Sequence, residues 1–207
     1  MHKHGILPIT LLLLALSACS EAPKAEKPKE AAKPVEPVTG RYAFHQMFAA
    51  ARTWSPDIQG LKLISINLPA VKHVEGKAAA WQVVFVSQAK QKSKSWTYSV
   101  VEAEGNLHKG VFAGSEESYS GPRGTTKPFN IAALKSDSDD AFKVATGKPT
   151  ATEYAKKNPT KEILYQLELT NRSPNPTWRV VWGESVSSSN FSIVVDATSG
   201  QYLETLH

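Results

Sequence analysis

Apolar side chains recur along this chain with two different periods. Phe44, Met47, Phe48 and Ala51 fall at i, i+3, i+4 and i+7, the spacing of one helix face. Ser55-Pro56 predicts the helix end, because the residue before a proline avoids helical angles. The period then drops towards two in Leu61-Lys62-Leu63-Ile64-Ser65-Ile66-Asn67-Leu68. Trp81–Val86 and Trp96–Val101 are dense in aromatic and β-branched residues, which suit a pleated, half-buried surface. A turn at Glu104-Gly105-Asn106 leads to a shorter strand over Leu107–Phe112. Residues 114–129, GSEESYSGPRGTTKPF, have the composition of a loop.

The same order then returns. Asp137 or Ser138 can cap a helix through Ala141, Phe142, Val144 and Ala145, broken at Gly147-Lys148-Pro149. Thr150 and Glu153 have capping-box spacing and predict a second short helix ending at Asn158-Pro159. Strands follow at Ile163–Thr170, Trp178–Trp182 and Phe191–Asp196, and the turn 196–200 feeds a last one, Gln201–Thr205. Trp81-Gln82-Val83-Val84 overlays Trp178-Arg179-Val180-Val181 at an offset of 97 residues, and Trp96–Gly105 overlays Phe191–Gly200 at 95. The change falls in a polar hairpin, Gln88–Ser95 against Glu184–Asn190, where loops absorb it cheaply. The fold class expected is α+β. Residues 41–113 and 136–207 form two tandem units, each a helix on an antiparallel meander, joined by a connector over 114–135. Their helices or their sheets are expected to meet, with edges or hairpin loops left free.

Trp178-Arg179-Val180-Val181-Trp182-Gly183, a polar hairpin, and Phe191-Ser-Ile-Val-Val-Asp-Ala-Thr-Ser-Gly200 together resemble the PepSY-type domain. The resemblance is best over 136–207, where SDSDDAFKVA looks like that family's opening helix. Over 41–113 it is weaker, since Val101-Glu-Ala-Glu-Gly105 keeps the turn without the Asp. It implies an extracytoplasmic module of a kind proposed to inhibit peptidases or sense the envelope, and it carries over no catalytic residue.

The first twenty residues, MHKHGILPITLLLLALSACS, have a basic start at Lys3 and an apolar run from Ile6 to Leu16, a secretory layout. That run is shorter than the ~20 residues of a spanning helix. Leu16-Ser17-Ala18-Cys19 resembles the lipobox of bacterial lipoproteins. The resemblance implies a signal peptide over 1–18, cleavage between Ala18 and Cys19, and a diacylglycerol on the Cys19 thiol. Several acyl chains give stable anchoring, where one chain is marginal. Ser20 follows the cysteine. By the enteric sorting rule the absence of Asp there points to the outer membrane, with the chain facing the periplasm. Residues 19–40 then read as a lipidated cysteine and tether. Lys24, Lys27, Lys29 and Lys33 balance Glu21, Glu26, Glu30 and Glu36, and Pro23, Pro28, Pro34 and Pro37 interrupt any helix. Such a segment buries too little apolar surface to offset its ordering entropy.

Composition narrows the function classes. The 207 residues carry 24 Lys and Arg against 19 Asp and Glu, a net charge of +5, without the basic stripe of a nucleic-acid reader. One cysteine excludes an internal disulfide and a thiolate metal cage. His2, His4, His45, His73, His108 and His207 show no paired spacing, so no metal site is expected. Asp137, Asp139 and Asp140 lack the glycine and register of an EF-hand and suit a helix N-terminus instead. Ser185, Ser187, Ser188 and Ser189 have no nucleophile elbow around them. Glu184 is the most suggestive lone carboxylate, but no partner group is legible.

No phosphate loop or cofactor motif is present. Trp81, Trp96, Trp178 and Trp182 read as core or cross-strand partners, with Trp178 and Trp182 sharing a face and Arg179 and Val181 opposite. Lys90, Lys92 and Lys94 alternate along a hairpin loop, as solvated lysines or a basic finger. Two readings stand. One is a non-enzymatic, membrane-anchored envelope lipoprotein that binds a protein or peptide partner, a peptidase being one candidate, through a sheet edge or hairpin loop. The alternative is a cell-envelope hydrolase with an unrecognised site. The lack of a nucleophile–base motif favours the first.

Overall fold

Val38–Thr39 form a short strand, β1, against Lys77–Ala78, β3, and helix α1 (Gly40–Ala51) begins at once. The computed structural model describes residues 35–105, 107–122 and 124–207. The signal sequence, Ala18, Cys19 and the tether up to residue 34 lie outside them. The first described element, β1, starts at Val38, within the segment that composition assigns to the tether. A valine and a threonine look like linker, but β3 supplies a pairing edge that local composition does not reveal.

After α1 come β2 (Gln59–Ile66), β4 (Ala80–Ser87), β5 (Lys92–Ser99) and β6 (Gly110–Ser118), an antiparallel meander in chain order. A short β7 (Thr126–Lys127) and a 3₁₀ turn (Ile131–Ala133) follow. Then α2 (Ser138–Thr146) and α3 (Pro149–Lys157) precede a second meander of β8 (Ile163–Thr170), β9 (Thr177–Trp182), β10 (Ser192–Asp196) and β11 (Tyr202–Leu206). The protein is α+β.

The two meanders form one sheet, in the order β11-β10-β9-β8-β2-β4-β5-β6, with β7 paired to β8. Stacked helices or sheets were the expectation; the halves join edge to edge instead. Lys62 pairs with Glu168, Leu63 with Leu167 and Ile64 with Gln166. Pairing the first strand of each meander satisfies two edges that would otherwise present bare backbone groups. β2 still belongs mainly to its own half, pairing with β4 from Gln59–Val86 to Ile66–Ala80. Gly105 and Gly200 occupy corresponding turns with φ of 77° and 73°, a left-handed conformation that favours glycine.

Among the described residues, α1, α2 and α3 all lie on one face of the sheet. Ala43, Phe44, Met47 and Ala51 of α1 and Ala141, Phe142 and Ala145 of α2 close a core with Trp81, Tyr165, Leu167 and Trp178. Tyr154 of α3 stacks on Phe191, with centroids 4.3 Å apart. Asp137 caps two helices. Its Oδ1 accepts from Ser138 N at 2.7 Å in α2 and from Arg41 N at 2.8 Å in α1, placing one carboxylate at two positive helix ends.

Three local expectations are corrected. β6 runs to Ser118, past the 113 boundary, because β5 offers an edge that GVFAGSEES joins despite lacking apolar alternation. The β4–β5 turn is only 88–91, so Lys92 and Lys94 lie on β5 rather than on a loop finger. There Lys94 lies 3.4 Å from Glu116 Oε1 and over the Trp96 ring. The Thr150–Glu153 capping box does not form: α3 starts at Pro149, whose fixed φ suits a first helical position.

Candidate functional site

Side chains alternate between the two faces of each strand. Trp81, Val83 and Phe85 on β4, and Trp178, Val180 and Trp182 on β9, point to the helices. The residues between them line the other face, over which none of the three helices packs. Register places one row across that face. Phe112 stands opposite Thr97, Thr97 opposite Gln82, and Gln82 opposite Ile64. The row continues through Gln166, Arg179 and Val194 to Glu204. Eight strands thus contribute one residue each.

Over the β2–β8 seam this face dips into a hollow of about 760 Å³, within the range of ligand pockets. Ile64, Ile66 and Leu164 give it an apolar floor. Gln166 is 3% exposed, and its side-chain oxygen has no hydrogen-bond partner among the described residues. Beside it, Arg179 Nε donates to Ser192 Oγ at 2.8 Å. Burial pulls the Arg179 pKa below the ordinary guanidinium value, Glu168 pushes it back up, Arg172 adds to the lowering and Glu204 again raises it. Glu168 Oε2 accepts from Thr126 Oγ1 at 3.1 Å, and Glu204 lies 3.5 Å from Arg172. At the far rim stand the exposed Glu162 and Glu184, with Asn67 Nδ2 donating to Glu162 at 3.2 Å. Arg179 and Glu168 also border a second hollow of about 490 Å³ towards β11.

The other candidates separate. Cys19 and Ala18 lie outside the described residues. His45 and His73 are exposed, and His108 Nδ1 sits 2.6 Å from Glu102 Oε1. Among the described residues no group of three or more His, Cys, Asp or Glu side chains could hold a metal. Asp137 and Asp140 build the α2 capping box, and Asp139 and Asp140 pair with Lys143. Ser185 bonds Ser188 at 2.6 Å, with no imidazole among its hydrogen-bond partners. Glu184 reaches the hollow only at its rim. Trp81, Trp96, Trp178 and Trp182 are buried, Trp178 at 0% exposure.

Sequence spacing missed one polar cluster. Asp57 accepts from Ser55 Oγ at 2.7 Å, Ser87 Oγ at 2.6 Å and Ala89 N at 2.9 Å. The bond from Ala89, then those from Ser87 and Ser55, lower its pKa from 3.8 to about 2. The cluster ties the α1–β2 connection to the β4–β5 turn. A carboxylate held at a pKa of about 2 is a poor base for the hydroxyls that donate to it, so the cluster reads as a structural lock. Asp196 is a similar lock: burial would raise its pKa, but bonds from Ser199, Asn175 and Thr198 outweigh that and lower it.

Fold and face define an α+β protein whose described helices all back one side of an antiparallel sheet; on the other side Phe112 is exposed, while Gln166, Val181 and Val194 are already buried. The chain matches no family model, and no curated protein or solved structure is significantly similar to it. Among the described residues no helix is long and apolar enough to cross a membrane.

Proposed function

We propose that this chain is a lipid-anchored protein of the bacterial envelope. Acylated Cys19 holds it at the outer membrane facing the periplasm, and it works by binding a protein or peptide partner through the helix-free face of its sheet. Its two halves are tandem PepSY-like units, and a peptidase is the partner class that this likeness favours. One observation carries the binding reading: a row of side chains from eight strands crosses a face backed by a packed core and covered by no helix among the described residues. A rigid face of mixed apolar and polar groups suits recognition, where ordering costs are already met. Two meanders in the same order, with glycine at matching turns, support the tandem units. The LSAC sequence at 16–19 supports the anchor.

Two measurements test this. Metabolic labelling with an acyl probe should mark the wild type and leave Cys19→Ala unlabelled; equal labelling overturns the anchor. A photo-crosslinking residue placed at Gln82, on the helix-free face, should capture one discrete partner in intact cells, whereas the same residue at Glu153 on α3 should not. Equal capture at both positions, or none at Gln82, overturns the binding face.

A further inference from the structure

The hollow over the β2–β8 seam is charged in a definite order along its strands. At one end the half-buried Arg179 guanidinium is fixed through Nε by Ser192 Oγ and forms no ion pair among the described residues. Its two neighbouring carboxylates are engaged elsewhere, Glu168 by Thr126 and Glu204 by Arg172. Lys62 stands opposite Glu168 in register and also lines the hollow. Gln166, the register partner of Arg179, has a buried oxygen with nothing donating to it. A fixed fork of N–H donors and an unfilled acceptor side by side complement a carboxylate adjoining an amide N–H. The middle of the hollow is apolar, and its other end carries Glu162 and Glu184. Four residues separate 162 from 166, roughly 13 Å at ~3.3 Å per residue of strand.

We infer that this hollow binds an extended, bipolar stretch of a protein partner, with an acidic side chain on Arg179, an apolar side chain over Ile66 and Leu164, and a basic side chain against Glu162 and Glu184. The acid and base are four residues apart, since the ligand must span the same length of extended chain. The inference rests on the proposed partner-binding role of this face and specifies what it takes.

The test uses the folded chain, isotope-labelled, titrated with the amide-capped peptide Lys-Ala-Leu-Ala-Glu. Saturable shifts centred on Ile64, Gln166 and Arg179 are expected. Replacing the peptide's Glu by Gln, or its Lys by Gln, should weaken binding about tenfold or more, the scale of one lost charge-assisted bond. Arg179→Gln should erase the discrimination between the Glu and Gln peptides, and Glu184→Lys should weaken the Lys-bearing peptide. Non-saturating shifts, shifts mapping elsewhere, or equal affinity on the wild-type chain for the peptide and its Glu-to-Gln and Lys-to-Gln forms would overturn the inference. A partner cross-linked from Gln82 with no such peptide discrimination would refute the bipolar ligand alone; loss of that cross-link would refute the reading beneath it.

Discussion

Trp81 and Trp178 meet edge to face, their ring centroids 6.2 Å apart and their planes at 70°. Each indole N–H donates to a backbone carbonyl at 3.0 Å, Trp81 to Val38 and Trp178 to Ser136. Each acceptor lies two residues before a helix start, Gly40 in α1 and Ser138 in α2. One contact therefore relates the two halves and fixes how each helix enters. Trp178→Ala should cost about 3–5 kcal/mol, as large aromatic truncations do, out of a stability on the order of 5–15 kcal/mol. Denaturant unfolding should show a lower midpoint at unchanged slope. A double-mutant cycle with Trp81→Ala should give a coupling of about 0.5–1.5 kcal/mol.

Gly40 is where those rings leave no room. A Cβ there would run into the Trp178 ring and come within 2.9 Å of Trp81 Cη2. Alanine normally favours a helix over glycine by about 1 kcal/mol. Gly40→Ala should reverse that sign and destabilise by about 1–3 kcal/mol, the range for overpacking. A thermal melt would read this as a fall of roughly 2–4 °C per kcal/mol for a domain of this size.

Much of this fold is legible locally. The Trp81 and Trp178 strands, the turns at Gly105 and Gly200 and the Asp137 cap all follow from short-range pattern, because burial and capping act over a few residues. The segments that escape are those whose partners are distant in sequence. Val38–Thr39 and the polar stretch to Ser118 become strands only because β3 and β5 provide edges. The seam pairing Leu63 with Leu167 joins residues 104 apart, and no local period encodes it. The candidate site is hidden for the same reason. Gln166 and Arg179 look like ordinary outward-facing strand residues until β8 and β9 set them side by side. The Asp57 cluster likewise needs Ser87 and Ala89 brought back by a hairpin.

Asp57 makes stability depend on acid in a defined window. Its carboxyl titrates at about 2 in the folded chain against 3.8 without partners. A folded pKa below the unfolded one gives stabilisation that is complete above 3.8 and lost as pH falls through about 2. Because Asp57 is exposed, its hydrogen bonds should be worth about 1 kcal/mol, at the low end for charged acceptors. Asp57→Ala should melt below wild type at neutral pH, and the gap should close at the acid end of that window. A gap independent of pH would assign the loss to packing rather than to the carboxylate.

Two serines at the junction of the halves make opposite predictions. Ser138 is fully buried, and its hydroxyl accepts from Gly40 N at 2.8 Å while donating to Gly76 O at 2.6 Å. It thereby ties α1 and the β2–β4 loop to the start of α2. Ser138→Ala would leave an N–H and a carbonyl buried without partners, a loss of about 2–3 kcal/mol. Ser136, two residues earlier, has a buried hydroxyl with no partner among the described residues. Its backbone alone is used, the N–H donating to Ala197 O at 2.8 Å and the carbonyl accepting from Trp178, so Ser136→Ala removes an unsatisfied group and should be neutral or slightly stabilising. Amide exchange separates the two. In Ser138→Ala the Gly40 amide should lose protection ahead of the central strands, whereas in Ser136→Ala it should exchange as in wild type. Equal destabilisation by both substitutions would mean that volume, and not the relay from Gly40 to Gly76, holds the two halves together.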